Sequence, residues 1–285
     1  MLAEWLSLPG AQATIDTWSG ISGLELARLG TTATADEITD TAVTQPLVVA
    51  TTLLAYAELA KRGLPADTVV AGHSVGEIAA YAIAGVISAD DAVRLAAVRG
   101  AEMAKACAVE PTGMSAVLGG DEAEVLARLE ALELIPANRN AAGQIVAAGA
   151  VAALEKLAED PPAKARVRQL ATAGAFHTHY MASALDGYAA AAAAVTPTDP
   201  TTTLLSNVDG KPVASGADAM EKLVAQLTRP VRWDLCTETM RGLGITAIVE
   251  FPPAGALTGI AKRELRGVAT HAVKTPADLD GLTSL

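Results

Sequence analysis

The densest chemical signal in this sequence of 285 residues is Gly72-His73-Ser74-Val75-Gly76. An apolar, strand-like run (Asp67 to Gly72) leads into it and a helix-like run leads out. G-x-S-x-G in that context is a nucleophile elbow. A tight turn lifts the Ser74 hydroxyl clear of a sheet and is expected to leave no room for a Cβ on either flanking glycine. It also sets the serine at a helix N-terminus, where the amide of Val75 can hold an oxyanion. The bland alternative is a turn with an incidental serine. A serine hydroxyl also needs a base. His73, His177, His179 and His271 are the four histidines, and spacing alone does not choose among them.

Arg99 is the second signal. At 100° per residue, Ala92, Leu95, Ala96, Arg99 and Met103 share one narrow stripe of a helix over 90–107, while Asp91, Arg94, Glu102 and Lys105 fall on a polar side. A guanidinium among apolar neighbours needs an anionic or strongly polar partner. Two readings stand: a salt bridge to a buried carboxylate, or a fork that grips the carboxylate of a ligand.

The elements that must position these groups read as an α/β chain. A helix is predicted over 44–62, with Thr44 as its cap, Pro46 in its first turn and Gly63 as its stop. The strand over 67–72 and the helix after Ser74 frame the elbow. A different rhythm runs from about 108 to 172: strand Met114–Leu118, helix 121–131, strand Gln144–Ala148, helix 151–159, strand Ala165–Leu170. That order predicts a small α+β domain over 108–172 inserted into a larger domain made of 1–107 and 173–285. A helix over 178–195, a strand over 202–206, a turn over 207–210, helices over 217–227, 233–242 and 256–265, and strands over 246–250 and 268–273 complete the chain.

Composition narrows the function. Half the residues are hydrophobic, few are aromatic, and the net charge is −11. Without a basic run such a chain is a poor nucleic-acid binder. Cys107 and Cys236 lack metal-ligand spacing and read as buried free thiols. The apolar stretch from Leu47 to Ala60 is read as too short and too polar to span a bilayer. With no targeting signal at the first residues, the cytoplasm is the expected compartment and a monomer the expected state.

Taken together, the motifs resemble the malonyl-CoA:acyl carrier protein transacylases and the related acyltransferase domains of fatty-acid and polyketide synthases, over nearly the whole chain. The matching residues are Gly72-His73-Ser74-Val75-Gly76-Glu77, Arg99-Gly100 with Met103, Asn138-x-Asn140-x-x-Gly143-Gln144, Gly174-Ala175-Phe176-His177, Ser206-Asn207-Val208, Pro253-x-Gly255 through Leu257, and Thr44-Gln45-Pro46. The resemblance implies a hydrolase-like α/β domain with a parallel sheet and a ferredoxin-like insert. It implies Ser74 as nucleophile and His177 as base, with the Gln226 backbone carbonyl orienting that base. Arg99 would hold the malonyl carboxylate, Phe176 would favour malonyl over 2-methyl analogues, and Asn140 would line the site. Malonyl-CoA and the phosphopantetheine thiol of acyl carrier protein are the implied partners, with no cofactor or metal of the protein's own.

The resemblance also implies an opening strand and a Gly-Gln-Gly-x-Gln loop that supplies a second oxyanion donor. The residues given start at Met1-Leu2-Ala3-Glu4-Trp5 without it. The expectation is therefore that one strand and one donor are missing, the donor being worth about 2.7–4 kcal/mol in other enzymes, and that a start placed too late is the cause. Two rivals remain at this level: a serine esterase or thioesterase using Ser74, Asp234 and His271, and a non-catalytic module that binds carrier protein. Docking of an acidic carrier calls for local cations, for which Lys164, Arg166 and Arg168, or Lys262, Arg263 and Arg266, are candidates.

Overall fold

The protein is described here by a computed structural model, covering residues 1–282 apart from Leu64 and Ala66. Three helices open it: α1 (Ala11–Ser22), α2 (Leu26–Thr31) and α3 (Ala35–Thr39). None was predicted from the sequence. Leu2 and Trp5 are fully buried at their side, and the Trp5 indole donates to the Lys274 carbonyl at 3.1 Å.

Helix α4 (Thr41–Ala60) starts three residues before the predicted cap. Asp40, not Thr44, is its cap, accepting from the Ala42 N–H at 2.9 Å. Pro46 therefore lies inside the helix rather than in its first turn. At 20 residues, α4 is long and apolar enough to cross a membrane, which corrects the expectation that this stretch is too short. Here it is a core helix, with Leu47, Val49, Ala50 and Ala55 fully buried.

Strand β1 (Val69–Val70) leads to the elbow, followed by α5 (Gly76–Ile83) and α6 (Ala89–Cys107). Ser88 caps α6 by accepting from the Asp91 N–H at 3.0 Å. The predicted stripe of α6 is buried: Ala92, Leu95, Ala96, Arg99 and Met103 all lie inside. Gly100 lets α6 approach the start of α4, since a Cβ there would lie 2.6 Å from the Thr41 carbonyl oxygen. That close approach is what brings Gln45 on α4 to Arg99 on α6.

The middle of the chain forms β2 (Thr112–Gly119), α7 (Glu122–Ala131), β3 (Ile135–Ala141), β4 (Gln144–Ala150), α8 (Val151–Glu159) and β5 (Ala165–Gln169). Their sheet has the order β5-β2-β4-β3, all neighbours antiparallel, which is the β-α-β-β-α-β ferredoxin-like arrangement. Strand β3 was missed from the sequence because Pro136 and two asparagines break its apolar pattern. One face of the sheet packs on α7 and α8 through Val117, Leu129, Ile145 and Leu157. The other, with Met114, Val146 and Ala148, packs on Ala175 and Phe176.

After a 3₁₀ segment (His179–Ala184) come α9 (Leu185–Ala193), β6 (Thr203–Leu204), α10 (Gly216–Ala225), β7 (Val231–Arg232), α11 (Trp233–Gly242), β8 (Ala247–Glu250), α12 (Ala256–Glu264) and β9 (Ala269–Ala272). The single helix predicted over 178–195 is thus a 3₁₀ turn followed by a shorter α-helix. Parallel pairing occurs as β1 with β6 and as β8 with β9, two separate pairs rather than one continuous sheet. Only Val69 and Val70 of the predicted six-residue strand have ladder partners. Strand β7 runs parallel to β3 and extends the middle sheet. The buried Glu250 carboxylate accepts from the Gly255, Leu257 and Thr258 N–H groups at 2.8–2.9 Å, capping α12 and accounting for the Pro253-x-Gly255 signal.

Candidate active site

Ser74 lies between β1 and α5 with a positive φ of 54°, the strained backbone expected of an elbow. Gly72 is required: a Cβ there would sit 2.0 Å from the Gly76 carbonyl oxygen. Gly76 is not required for space, because a Cβ on it would meet nothing within 4 Å. This corrects the expectation that both glycines are sterically forced; Gly76 opens α5, and its side-chain direction points away from the turn.

Asn207 holds the elbow on both sides of the serine's neighbour. Its Oδ1 accepts from the Ser74 N–H at 2.8 Å and its Nδ2 donates to the Gly72 carbonyl at 2.6 Å. The Ser74 N–H is so engaged, whereas the Val75 N–H, the next amide along the elbow, finds no acceptor among the described residues. It is free for a developing oxyanion.

The serine's partner is His177. Its Nε2 lies 2.7 Å from Ser74 Oγ, and its Nδ1 lies 2.9 Å from the Gln226 backbone carbonyl. A carbonyl only accepts, so Nδ1 carries the proton and Nε2 presents its lone pair to the serine hydroxyl. His177 also has a positive φ, 61°, and is almost fully buried. Burial first, and the Arg99 charge second, push its pKa down to about 3, so the ring is neutral near pH 7. The rival triad is not assembled. Asp234 is paired with Arg232 at 2.8 Å, and His271 sits on β9 with no hydrogen bond to Ser74 or Asp234 among the described residues.

Arg99 is 1% exposed and has no carboxylate within 4.0 Å among the described residues. The salt-bridge reading does not hold among the described residues: the partners of Arg99 are neutral. Nη1 donates to Gln45 Oε1 at 2.6 Å and Nη2 to Gln226 Oε1 at 2.8 Å, while Nε has no partner among the described residues. A buried guanidinium facing two amide oxygens, with an N–H left over, is poised for an anion. Gln226 therefore serves both groups, its backbone oxygen holding the base and its side-chain oxygen holding the arginine.

Glu77 lies behind this junction, fully buried. Its Oε1 accepts from the Asn207 N–H at 2.7 Å, and its Oε2 accepts from Gln226 Nε2. Burial pushes its pKa up to about 7, against the pull of those donors and of Arg99. Glu77, Asn207 and Gln45 are in the sequence motifs, but nothing local assigned them a role. Their signal was a polar residue in an apolar setting, clearest for Gln45 within α4.

Asn140 reaches the elbow through His73 rather than Ser74: its Oδ1 is 2.8 Å from His73 Nε2. The His73 ring also stands edge-on to Trp233 at 5.5 Å, and burial lowers its pKa, leaving it neutral. His73 thereby ties the elbow to β3. Phe176 is half-buried and packs between the main core and the middle sheet, next to His177 in the chain. Of the cysteines, Cys236 is buried as expected, whereas Cys107, at the end of α6, is only half-buried; both are free thiols.

An α/β fold carrying a serine elbow, a neutral histidine on its hydroxyl and a buried arginine beside them is the arrangement of an acyl-transfer protein. The chain belongs to the acyl transferase domain family, whose model matches residues 15–277. It is 79% identical, over the full length of both chains, to a malonyl CoA-acyl carrier protein transacylase of Mycolicibacterium smegmatis. Its fold is similar to the crystal structure of the corresponding enzyme from Mycobacterium tuberculosis, with a TM-score of 0.97, 72% identity, and 99% of this chain and 94% of that one covered. It is also similar to a malonyl-transacylase solved in complex with a type II PKS acyl-carrier protein, with a TM-score of 0.92, 29% identity, and 98% and 93% covered.

Proposed function

We propose that the protein transfers malonyl from malonyl-CoA to the phosphopantetheine thiol of acyl carrier protein through an ester on Ser74. The observation that carries this reading is the buried Arg99, held beside the Ser74–His177 pair with unused donor capacity and no ion pair to a carboxylate among the described residues. A site that must hold an acyl group bearing a carboxylate needs that cation; a plain esterase does not. Residues 1–107 and 173–285 form the catalytic domain in this reading, and 108–172 the insert.

The chemistry follows from the geometry. Ser74 Oγ attacks the thioester carbon while its proton passes to His177 Nε2, and the Val75 N–H receives the oxyanion. Collapse breaks the carbon–sulfur bond, and the imidazolium protonates the departing coenzyme A thiolate. The carrier thiol then gives its proton to His177 and attacks the ester, and Ser74 recovers its hydrogen as malonyl leaves, in ping-pong order. His177 is a weak base in the free site, partly because of the Arg99 charge. A malonyl carboxylate on Arg99 offsets that charge, so the correct substrate strengthens the base that attacks it. Phe176 beside the base crowds a 2-methyl group. No cofactor of the protein's own enters any step.

The carrier's acidic surface is met by exposed cations. Lys164, Arg166, Arg168, Lys262, Arg263 and Arg266 are all exposed, and none is in an ion pair among the described residues. The Arg263 guanidinium donates to Gln144 Oε1, setting the end of α12 against β4. Two free cysteines suit the cytoplasm.

Intact-mass spectrometry tests the reading. The parent chain mixed with malonyl-CoA gains one malonyl group, gains little from acetyl-CoA, and Ser74→Ala gains none. Acylation that survives in Ser74→Ala, or equal loading by both thioesters, contradicts it.

A further inference from the structure

We propose that Glu77 is a positioning residue for substrate selectivity: as the terminal acceptor of a one-way hydrogen-bond chain, it fixes the Gln226 side chain with its oxygen toward Arg99. The inference rests on the malonyl-transfer reading and adds to it a residue whose carboxylate makes no hydrogen bond to the serine.

The chain has a direction. Arg99 Nη2 donates to Gln226 Oε1, and Gln226 Nε2 donates to Glu77 Oε2. The Asn207 backbone N–H donates to Glu77 Oε1. Arginine has only donors and a carboxylate only acceptors, so the two ends leave the amide between them one orientation. Gln226 Nε2 also faces the Ser74 carbonyl at 3.2 Å and Asn207 Oδ1 at 3.4 Å, which are likewise acceptors. The amide nitrogen thus sits in a nest of acceptors and the amide oxygen faces the guanidinium. Glu77 supplies the one full negative charge in that nest, opposite the buried positive charge of Arg99, with the amide as the link.

Glu77→Gln changes polarity while keeping shape. The Asn207 N–H is backbone and cannot turn over, so it claims the oxygen of the new amide. The new NH₂ then confronts the NH₂ of Gln226. Relief comes when the Gln226 amide turns over, which brings its own NH₂ against Arg99, donor to donor. Arg99 loses its hold on that side, while the Gln226 backbone carbonyl still accepts from His177. Grip on a substrate carboxylate suffers and the base does not.

The experiment measures KM and kcat for Ser74 acylation by malonyl-CoA and by acetyl-CoA at pH 8, above the Glu77 value of about 7, so that the carboxylate form prevails in the parent. Glu77→Gln is expected to raise the malonyl-CoA KM about tenfold, the worth of one hydrogen bond, and to leave acetyl-CoA kinetics within about twofold. Glu77→Asp, which remains a pure acceptor, restores part of the selectivity. A fall shared equally by both thioesters, or no change in either, overturns the proposal. Gln226→Leu tests the same link from its middle, because it deletes the amide that joins Arg99 to Glu77 and keeps the carbonyl on His177. It must lower the malonyl-to-acetyl ratio whatever it does to the overall rate, and an unchanged ratio there overturns the proposal whatever Glu77→Gln does. A parent chain that forms no malonyl ester overturns the functional reading itself, and the proposal with it; a parent that acylates while the variants lose both substrates alike overturns the proposal alone.

Discussion

Replacing Arg99 by Met removes the charge while roughly keeping the length and volume of the side chain, and the structure says how much should change. Arginine has five N–H donors; the hydrogen bonds to Gln45 and Gln226 occupy one on each Nη, and Nε has no partner among the described residues. A bidentate grip on a carboxylate can therefore form without breaking the existing bonds. Two charge-assisted hydrogen bonds at about 1.5–3 kcal/mol each set a ceiling, and part of it is returned when the carboxylate is hydrated instead. A net loss of about 3–4 kcal/mol is a fall of about 10²–10³ in kcat/KM for malonyl-CoA. Acetyl-CoA has no carboxylate to lose. Its acylation should hold or rise, because Arg99 is the second cause of the depressed His177 pKa and its removal strengthens the base. Stability should move little: two amide oxygens lose a partner, at about 1–3 kcal/mol each, but a buried guanidinium is no longer desolvated, a cost of several kcal/mol. The assay is the rate of Ser74 acylation by each thioester, read by intact mass, with the thermal midpoint as control. An equal fall for both thioesters at an unchanged midpoint refutes the reasoning, since it would make Arg99 a support for the serine rather than a hold on the substrate.

Replacing His177 by Ala should abolish acylation, whereas His271→Ala should leave it intact; kinetics in the opposite sense would restore the hydrolase arrangement. Two buried groups shape stability against pH in opposite directions. His177 has a folded pKa of about 3 against an ordinary 6.5, so the unfolded chain binds the extra proton and stability falls as pH drops from 6.5 toward 3, by on the order of 5 kcal/mol at full expression. Glu77 has a folded pKa of about 7 against 4.5, so the folded chain binds the extra proton and stability rises as pH drops from above 7 to 4.5, by on the order of 3 kcal/mol. Urea unfolding should therefore show a stability that rises from pH 8 to 6.5, is nearly level to 4.5, and then falls; in Glu77→Gln the rise should vanish and the level stretch become a decline. Charge reversal at Arg166 and Arg168, or at Lys262 and Arg266, should raise the KM for carrier protein and steepen none of the malonyl-CoA kinetics; unchanged carrier kinetics in both sets would remove these cations from the docking surface.

How much of this was legible before the fold was known depended on whether a signal was local. The helices over 151–159 and 233–242 were predicted to the residue, since their apolar periodicity lies within their own segments. The stripe that buried Arg99 was equally local, a matter of spacing along α6. The three opening helices were missed because short amphipathic segments carry few periods to count. The parallel pairs were overestimated because an apolar run gives a strand's composition and not its ladder partners. At the elbow the motif put Ser74 on the strained turn where the structure has it, and gave the wrong account of one glycine. The steric demand falls on Gly72, where the chain doubles back on Gly76, and that demand belongs to the turn's geometry rather than to its spelling.

The polar junction behind the serine was the least legible part, and the reason is physical. Gln45, Glu77, Arg99, His177, Asn207 and Gln226 meet through bonds that span from 49 to 149 residues of sequence. Periodicity assigns a residue to a face but cannot name what waits across the gap. What the structure adds is a division of labour within one residue. The Gln226 backbone holds the base, and its side chain faces the arginine, so a side-chain substitution there can alter the grip on the acyl group without taking away the acceptor that fixes the His177 tautomer. Chemistry and selectivity share a scaffold in this site but do not share an atom. That separation is why the malonyl-to-acetyl ratio, rather than the overall rate, is the quantity that should respond to changes at Glu77, Arg99 and the Gln226 amide.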